Sequence, residues 1–236
     1  MLTVIIPTKD EETALPKLLA SLGRQTAQPA EIIVADAQSA DRTRDIARAF
    51  GARIVEGGLP GPGRNRGAEA AATDWLLFLD ADVELADAAF LAHSMEEIAR
   101  RRLDIATCEV EPMGAGRIDR AMHGVYNRYT KAMQNVFPHA PGFCIFVRRS
   151  LHEEIRGFDE SVVFCEDHDY ARRAAKVGRF GILHTRIPVS TRRWVRDGRL
   201  QTACKYVLAE LHLATVGPIR SNVFRYTFGH GKKVTK

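Results

Sequence analysis

The chain of 236 residues is 45% hydrophobic and 27% charged, which is enough apolar material for the core of one large domain and excludes an intrinsically disordered chain. Its four cysteines (Cys108, Cys144, Cys165, Cys204) include no Cys-x-x-Cys pair, and no cleavable signal precedes the apolar Thr3-Val4-Ile5-Ile6, so the expected setting is cytoplasmic, with reduced thiols. The formal net charge of +5 is clustered at Arg148-Arg149, Arg172-Arg173, Arg192-Arg193 and Lys232-Lys233; with no helix-turn-helix, zinc-finger or aromatic-interleaved basic signature, it points to a nucleotide or lipid phosphate and away from nucleic acid.

The first half alternates strand and helix. Leu2 to Pro7 reads as an apolar strand, and Ala14 to Leu22 has the apolar spacing of a helix with Thr13 as its cap. Glu31 to Ala35 is a second strand. A helix then opens at Ser39-Ala40-Asp41 and runs through Phe50 to a stop at Gly51, followed by a short strand from Arg53 to Glu56. Gly57 to Arg64 is a Gly/Pro-rich loop, Asn65 to Ala72 a helix, and Trp75 to Leu79 the next strand. This α/β alternation predicts a Rossmann-like, mainly parallel sheet flanked by helices, with ligands beyond the carboxyl ends of the strands.

Those strand ends carry the chemistry. Pro7-Thr8-Lys9, Asp36, the Gly57 to Arg64 loop and Asp80-Ala81-Asp82 all follow apolar strands and are expected to share one rim. Asp80 and Asp82 offer hard carboxylate oxygens that suit Mn2+ or Mg2+ holding a phosphorylated substrate; an Asx turn or a helix cap is the alternative use of such aspartates. Arg64 adds a charge suited to phosphate, and the glycines permit close backbone approach, although a plain flexible connection uses the same residues.

Further along, Phe180 to Leu183 is strand-like, and the stretch from Met113 to Gly142, with Tyr126, Tyr129, Phe137, His139 and Pro141, is expected to shape a pocket that fits a sugar, a lipid-linked group or a small metabolite equally well. Leu200, Ala203, Cys204, Val207, Leu208, Leu211 and Ala214 recur at helical spacing, which predicts a C-terminal amphipathic helical extension. No apolar run reaches the roughly 18 residues of a spanning helix. The extension is therefore expected to pack on its own domain, to form a homodimer, or to lie peripherally on a membrane surface with Arg196, Arg199, Arg220 and Arg225 toward the lipid headgroups.

Taken in order, Val4-Ile5-Ile6-Pro7-Thr8, Glu31 to Asp36 with Ser39 and Asp41, Arg64-Asn65-Arg66-Gly67, Asp80-Ala81-Asp82, Gly142 to Arg149, Gly157-Phe158-Asp159-Glu160 and Glu166-Asp167 running into Tyr170 to Arg173 make a specific pattern. With it the chain resembles the family-2 glycosyltransferases of the GT-A fold. The resemblance implies a catalytic domain over 1–195, with a nucleotide-sugar half (1–110) and an acceptor half (111–195), followed by the extension 196–236. It implies inverting transfer of a sugar from a nucleoside-diphosphate donor to a hydroxyl or phosphate acceptor.

Residue by residue, the resemblance makes Asp82 the main metal ligand with Asp80 beside the metal or ribose, Glu84 and His184 further metal ligands, Asp167 the base and Glu166 an acceptor or orienting contact. Pro7, Thr8, Lys9, Glu11, Asp36, Arg64 and Ala81 would meet the donor, and Arg192, Arg193 and Trp194 the diphosphate and acceptor. His168 follows the expected base, placed either to tune it or to face solvent at the helix start. Two bland alternatives stand beside these roles: acids favoured at a helix N-terminus, and solvated surface arginines. Many relatives carry two consecutive aspartates after the second strand, whereas Asp36 is followed by Ala37, so the donor base is unspecified. A nucleotidyltransferase and an inactive nucleotide-sugar-binding or membrane-surface module are the competing classes.

Overall fold

The computed structural model describes residues 1–58, 60–113, 116–189, 198–221 and 223. Among them, one sheet contains β1 (Leu2–Thr8), β2 (Glu31–Asp36), β3 (Arg53–Glu56), β4 (Trp75–Phe78), β5 (Ile105–Pro112), β6 (Ile145–Arg148) and β7 (Phe180–Val189). The strand order is β3-β2-β1-β4-β6-β5-β7. All pairs are parallel except those of β6, which runs against both β4 and β5. The helices are α1 (Leu15–Gly23), α2 (Thr43–Phe50), α3 (Pro60–Ala70), α4 (Phe90–Arg101), α5 (Arg117–Met133), α6 (Arg149–Glu154), α7 (Glu166–Ala174) and α8 (Arg199–Thr215).

Because neighbouring strand side chains point to opposite faces, the continuous apolar runs of β1, β2 and β4 bury both sides of the sheet. Val4, Ile6, Val34 and Leu77 face α1 and α4 through Leu15, Leu18, Phe90 and Ile98. Ile5, Ile33, Leu76 and Phe78 face the layer that holds Ala68 of α3 and Tyr170 and Ala171 of α7. Burial on both faces is what a parallel sheet requires.

Three local expectations change. Ala14, not Thr13, precedes α1, and no side chain caps it. α3 begins at Pro60, so most of the expected loop is the first turns of a helix; further along it, Gly67 serves packing, since a Cβ there would lie 2.3 Å from Ile5 Cγ2. On α8, Val207, Leu208 and Leu211 of the expected apolar face remain 59%, 56% and 56% exposed. The helix instead packs through Ala209 and Leu213 against Phe164, Cys165 and Ile219. No described helix is long and apolar enough to cross a membrane.

Candidate active site

The carboxyl ends of the parallel strands β1 and β4 open onto a cleft of about 1600 Å³. Pro7, Thr8, Lys9 and Glu11 reach it from β1, Asp80, Ala81 and Asp82 from β4, Arg64 from α3, and Glu166 and Asp167 from α7. Residues more than 150 positions apart in sequence thus share one wall.

Arg64 organises this wall. Its side chain is 2% exposed, and it donates from Nη2 to Asp80 Oδ1 and from Nη1 to Glu166 Oε1, both at 2.8 Å. Burial opposes its charge, but Asp80, Glu166 and Asp167 more than compensate and hold the guanidinium protonated. Glu166 answers in kind: burial first, then the Asp167 carboxylate, raise its proton affinity, and Arg64 opposes them. The expected phosphate ligand is therefore a buried clamp between the two acidic motifs.

Asp167 is held separately. Cys165, at φ 57° in the left-handed region, turns the chain abruptly into α7 and so brings Glu166 and Asp167 onto the cleft. The backbone N–H of Gly142 then donates to Asp167 Oδ2 at 2.6 Å. Glycine at 142 leaves room for the clamp, because a Cβ there would lie 2.3 Å from Arg64 Nη2 and the guanidinium would have to shift.

On the same cleft, Glu210 of α8 meets His168 Nδ1 at 2.6 Å, Arg172 Nη2 at 2.9 Å and His139 Nε2 at 3.0 Å. Burial disfavours the Glu210 charge, yet the two histidines hold its carboxyl well below the usual carboxylate range. His168 moves upward: Asp167 and Glu210 outweigh its burial. His139 moves downward, chiefly through burial. The ligand atoms of His139, His168 and Glu210 lie within 4.8 Å of one another, but the Arg172 guanidinium already occupies Glu210, so the group reads as a tie between α8 and α7. A second tie follows, where Phe164 bridges Ile219 just before Cys165.

Several expected site residues lie elsewhere. Asp36 is 3% exposed and accepts from Thr8 Oγ1 at 3.1 Å, Ser39 Oγ at 2.6 Å and Ser39 N at 3.0 Å; it shapes the turn after β2, and Ala37 lines the cleft in its place. Glu84 points toward Arg24 at 3.9 Å and is not among the cleft residues. His184, in mid-β7, sits 2.6 Å from Glu97 of α4 and lines a separate depression. Arg192, Arg193 and Trp194 fall outside the described residues. Sequence reasoning missed the Arg64 clamp, the Gly142 contact and the Glu210 tie.

For a divalent cation, Asp80 and Asp82 fit: both carboxylates line the cleft with Thr8 and Lys9, and Asp80, whose Oδ1 takes the Arg64 hydrogen bond, has its second hard oxygen to offer. Sheet, rim and acidic cleft define the GT-A class of α/β proteins. Residues 3–156 match the family model described as Glycosyl transferase family 2, and the chain belongs to that family. It is 38% identical over 110 residues to the 4,4'-diaponeurosporenoate glycosyltransferase of Staphylococcus haemolyticus, covering 43% of this chain and 29% of that protein; the chain thus spans less than a third of that relative's length. The S. aureus TarS fragment 1-349 in complex with UDP-GlcNAc superposes with a TM-score of 0.65 at 20% identity, over 80% of this chain and 58% of that one. The Pyrobaculum calidifontis mannosyltransferase PcManGT in complex with GDP-Man and Mn2+ gives 0.65 at 21% identity, over 79% and 56%.

Proposed function

We propose that the chain is a metal-dependent, inverting glycosyltransferase that moves a sugar from a nucleoside-diphosphate sugar to an acceptor hydroxyl. The observation that carries this reading is the opening of Asp80, Asp82 and Asp167 onto one cleft, within a chain of family 2. The two superposing structures hold UDP-GlcNAc and GDP-Man with Mn2+, which supports a nucleotide-sugar donor and leaves uridine and guanosine both in play.

Asp80 and Asp82 would hold a divalent cation, which when bound would offset negative charge on a diphosphate leaving group. Pro7, Thr8 and Lys9 bound the donor side. Asp167, fixed by the Gly142 N–H, takes the proton of the acceptor hydroxyl as its oxygen attacks. Glu166 is occupied by Arg64 and sets the position of α7. Residues from before and after position 110 line this cleft, as do Val207, Glu210 and Leu211 of α8, which supports a nucleotide half (1–110) and an acceptor half (111–195) with α8 on the acceptor side.

Asp167→Asn tests the assignment. The replacement retains an oxygen to accept from Gly142 but no basic carboxylate, so nucleotide-sugar binding should persist while transfer falls about 10²- to 10⁴-fold. Transfer at the parental rate removes Asp167 as base.

A further inference from the structure

Past the acidic rim the cleft continues as a groove between two helices. α5 presents Met122, Tyr126, Tyr129 and Met133 to it, and α8 presents Val207 and Leu211; both sets recur at helical spacing and so form continuous faces. Arg199 Nε and Nη2 donate to the Asp119 carboxylate at 2.6 and 3.0 Å and fasten the first turns of the helices together.

Several ionisable groups of these walls pair with one another or with their own helix. Glu210 is held by His139, His168 and Arg172, and His123 Nδ1 contacts its own helix at Asp119 O, 2.8 Å away. What faces the groove is mainly hydrocarbon, thioether and ring. A sugar or a free phosphate bound there would leave most of its own polar groups poorly matched. The total cleft volume of about 1600 Å³ also exceeds the roughly 300–1,000 Å³ of an ordinary small-molecule pocket, so an elongated second substrate has room beside the donor. At the mouth, Val125, Val207 and Leu211 are 65%, 59% and 56% exposed, an apolar rim continuous with the catalytic cleft.

We propose that this groove binds the apolar body of an amphiphilic alcohol, an isoprenoid or alkyl chain whose terminal hydroxyl reaches Asp167, and that this molecule is the acceptor. The inference rests on the transferase reading above. The acceptor O–H gives its proton to Asp167, its oxygen forms the bond to the anomeric carbon, and the bond from that carbon to the diphosphate oxygen breaks with the electron pair leaving on the nucleoside diphosphate.

Displacement of the neutral dye N-phenyl-1-naphthylamine by farnesol, with glycerol and cellobiose as polar competitors, tests the groove without any donor. Farnesol should displace the dye saturably from the parent and the polar compounds should not. A carboxylate on either wall, V125E or V207E/L211E, should weaken displacement by about tenfold or more, with parental melting temperatures because these positions are exposed. Absence of displacement, equal displacement from the variants, or stronger displacement by cellobiose overturns the proposal. In a second arm, farnesol should stimulate nucleoside-diphosphate release from the nucleotide sugars the parent turns over, and not in the variants. Turnover that farnesol neither stimulates nor competes with sinks the acceptor assignment alone. Farnesol binding without turnover of any nucleotide sugar sinks the transferase reading and the acceptor assignment with it.

Discussion

Arg64 and Glu166 form an ion pair across 102 positions of sequence, with the guanidinium side chain 2% and the carboxylate side chain 10% exposed. Through Asp80 the same arginine reaches the rim of β4. One buried cation therefore sets the spacing between the proposed metal-holding motif and the helix that carries the proposed base.

Replacing Arg64 with Met should leave Asp80 and Glu166 facing one another without a cation. Loss of one partner from a buried pair costs about 3–5 kcal/mol, and for a chain of this size that lowers the melting temperature by roughly 10 °C. Thermal unfolding followed by circular dichroism measures it. A melting temperature within about 2 °C of the parent would show that the clamp is not structural.

Gly142→Ala should act on geometry alone. The new methyl would meet Arg64 Nη2 at 2.3 Å, so either the clamp or the N–H on Asp167 has to move. Small misplacements of a catalytic group cost up to about 100-fold, so transfer should fall by one to two orders of magnitude, with nucleotide affinity changed much less. Comparing product formation with calorimetric nucleotide binding separates the two effects.

The sheet rim was readable because parallel strands at the centre of an α/β protein announce themselves as apolar runs, and Asp80-Ala81-Asp82 and Thr8 lie one step past such runs. Arg64 was not, since an arginine beside glycines suggests an exposed phosphate ligand and nothing local reveals two carboxylates arriving from elsewhere. Glu84 and His184 lie away from the cleft residues for a related reason: proximity in sequence to a motif says little once β4 has ended at Phe78, or when a residue sits mid-strand opposite Glu97. On α8 the helical period was legible, but not which apolar stripe is buried, because the choice of Ala209 and Leu213 depends on Phe164 and Ile219.

Asp82→Ala should abolish cation-supported nucleotide binding, and chelation with EDTA should do the same to the parent. Calorimetric titration of UDP and GDP with and without Mn2+ checks both. Undiminished, cation-dependent binding by the variant would remove Asp82 from the metal site.

Glu210→Gln should change the pH profile of stability. Glu210 ionises far below the ordinary carboxylate value of about 4.3, so its contribution is fully present above about pH 5 and lost as pH falls further. His168 is raised above about 6.5, so its charge stabilises below that pH and the effect is lost as pH rises through its folded value. The melting-temperature gap between parent and variant should therefore be largest near pH 6 and close on the acid side. A gap independent of pH between about 3 and 8 would show that the tie between α8 and α7 is not electrostatic.

The most direct test is product identity. Purified chain with Mn2+ and a panel of UDP- and GDP-sugars should release the nucleoside diphosphate, and Asp82→Ala and Asp167→Asn should each suppress that release. Pyrophosphate as the product, or release that survives both substitutions, would contradict sugar transfer at this cleft.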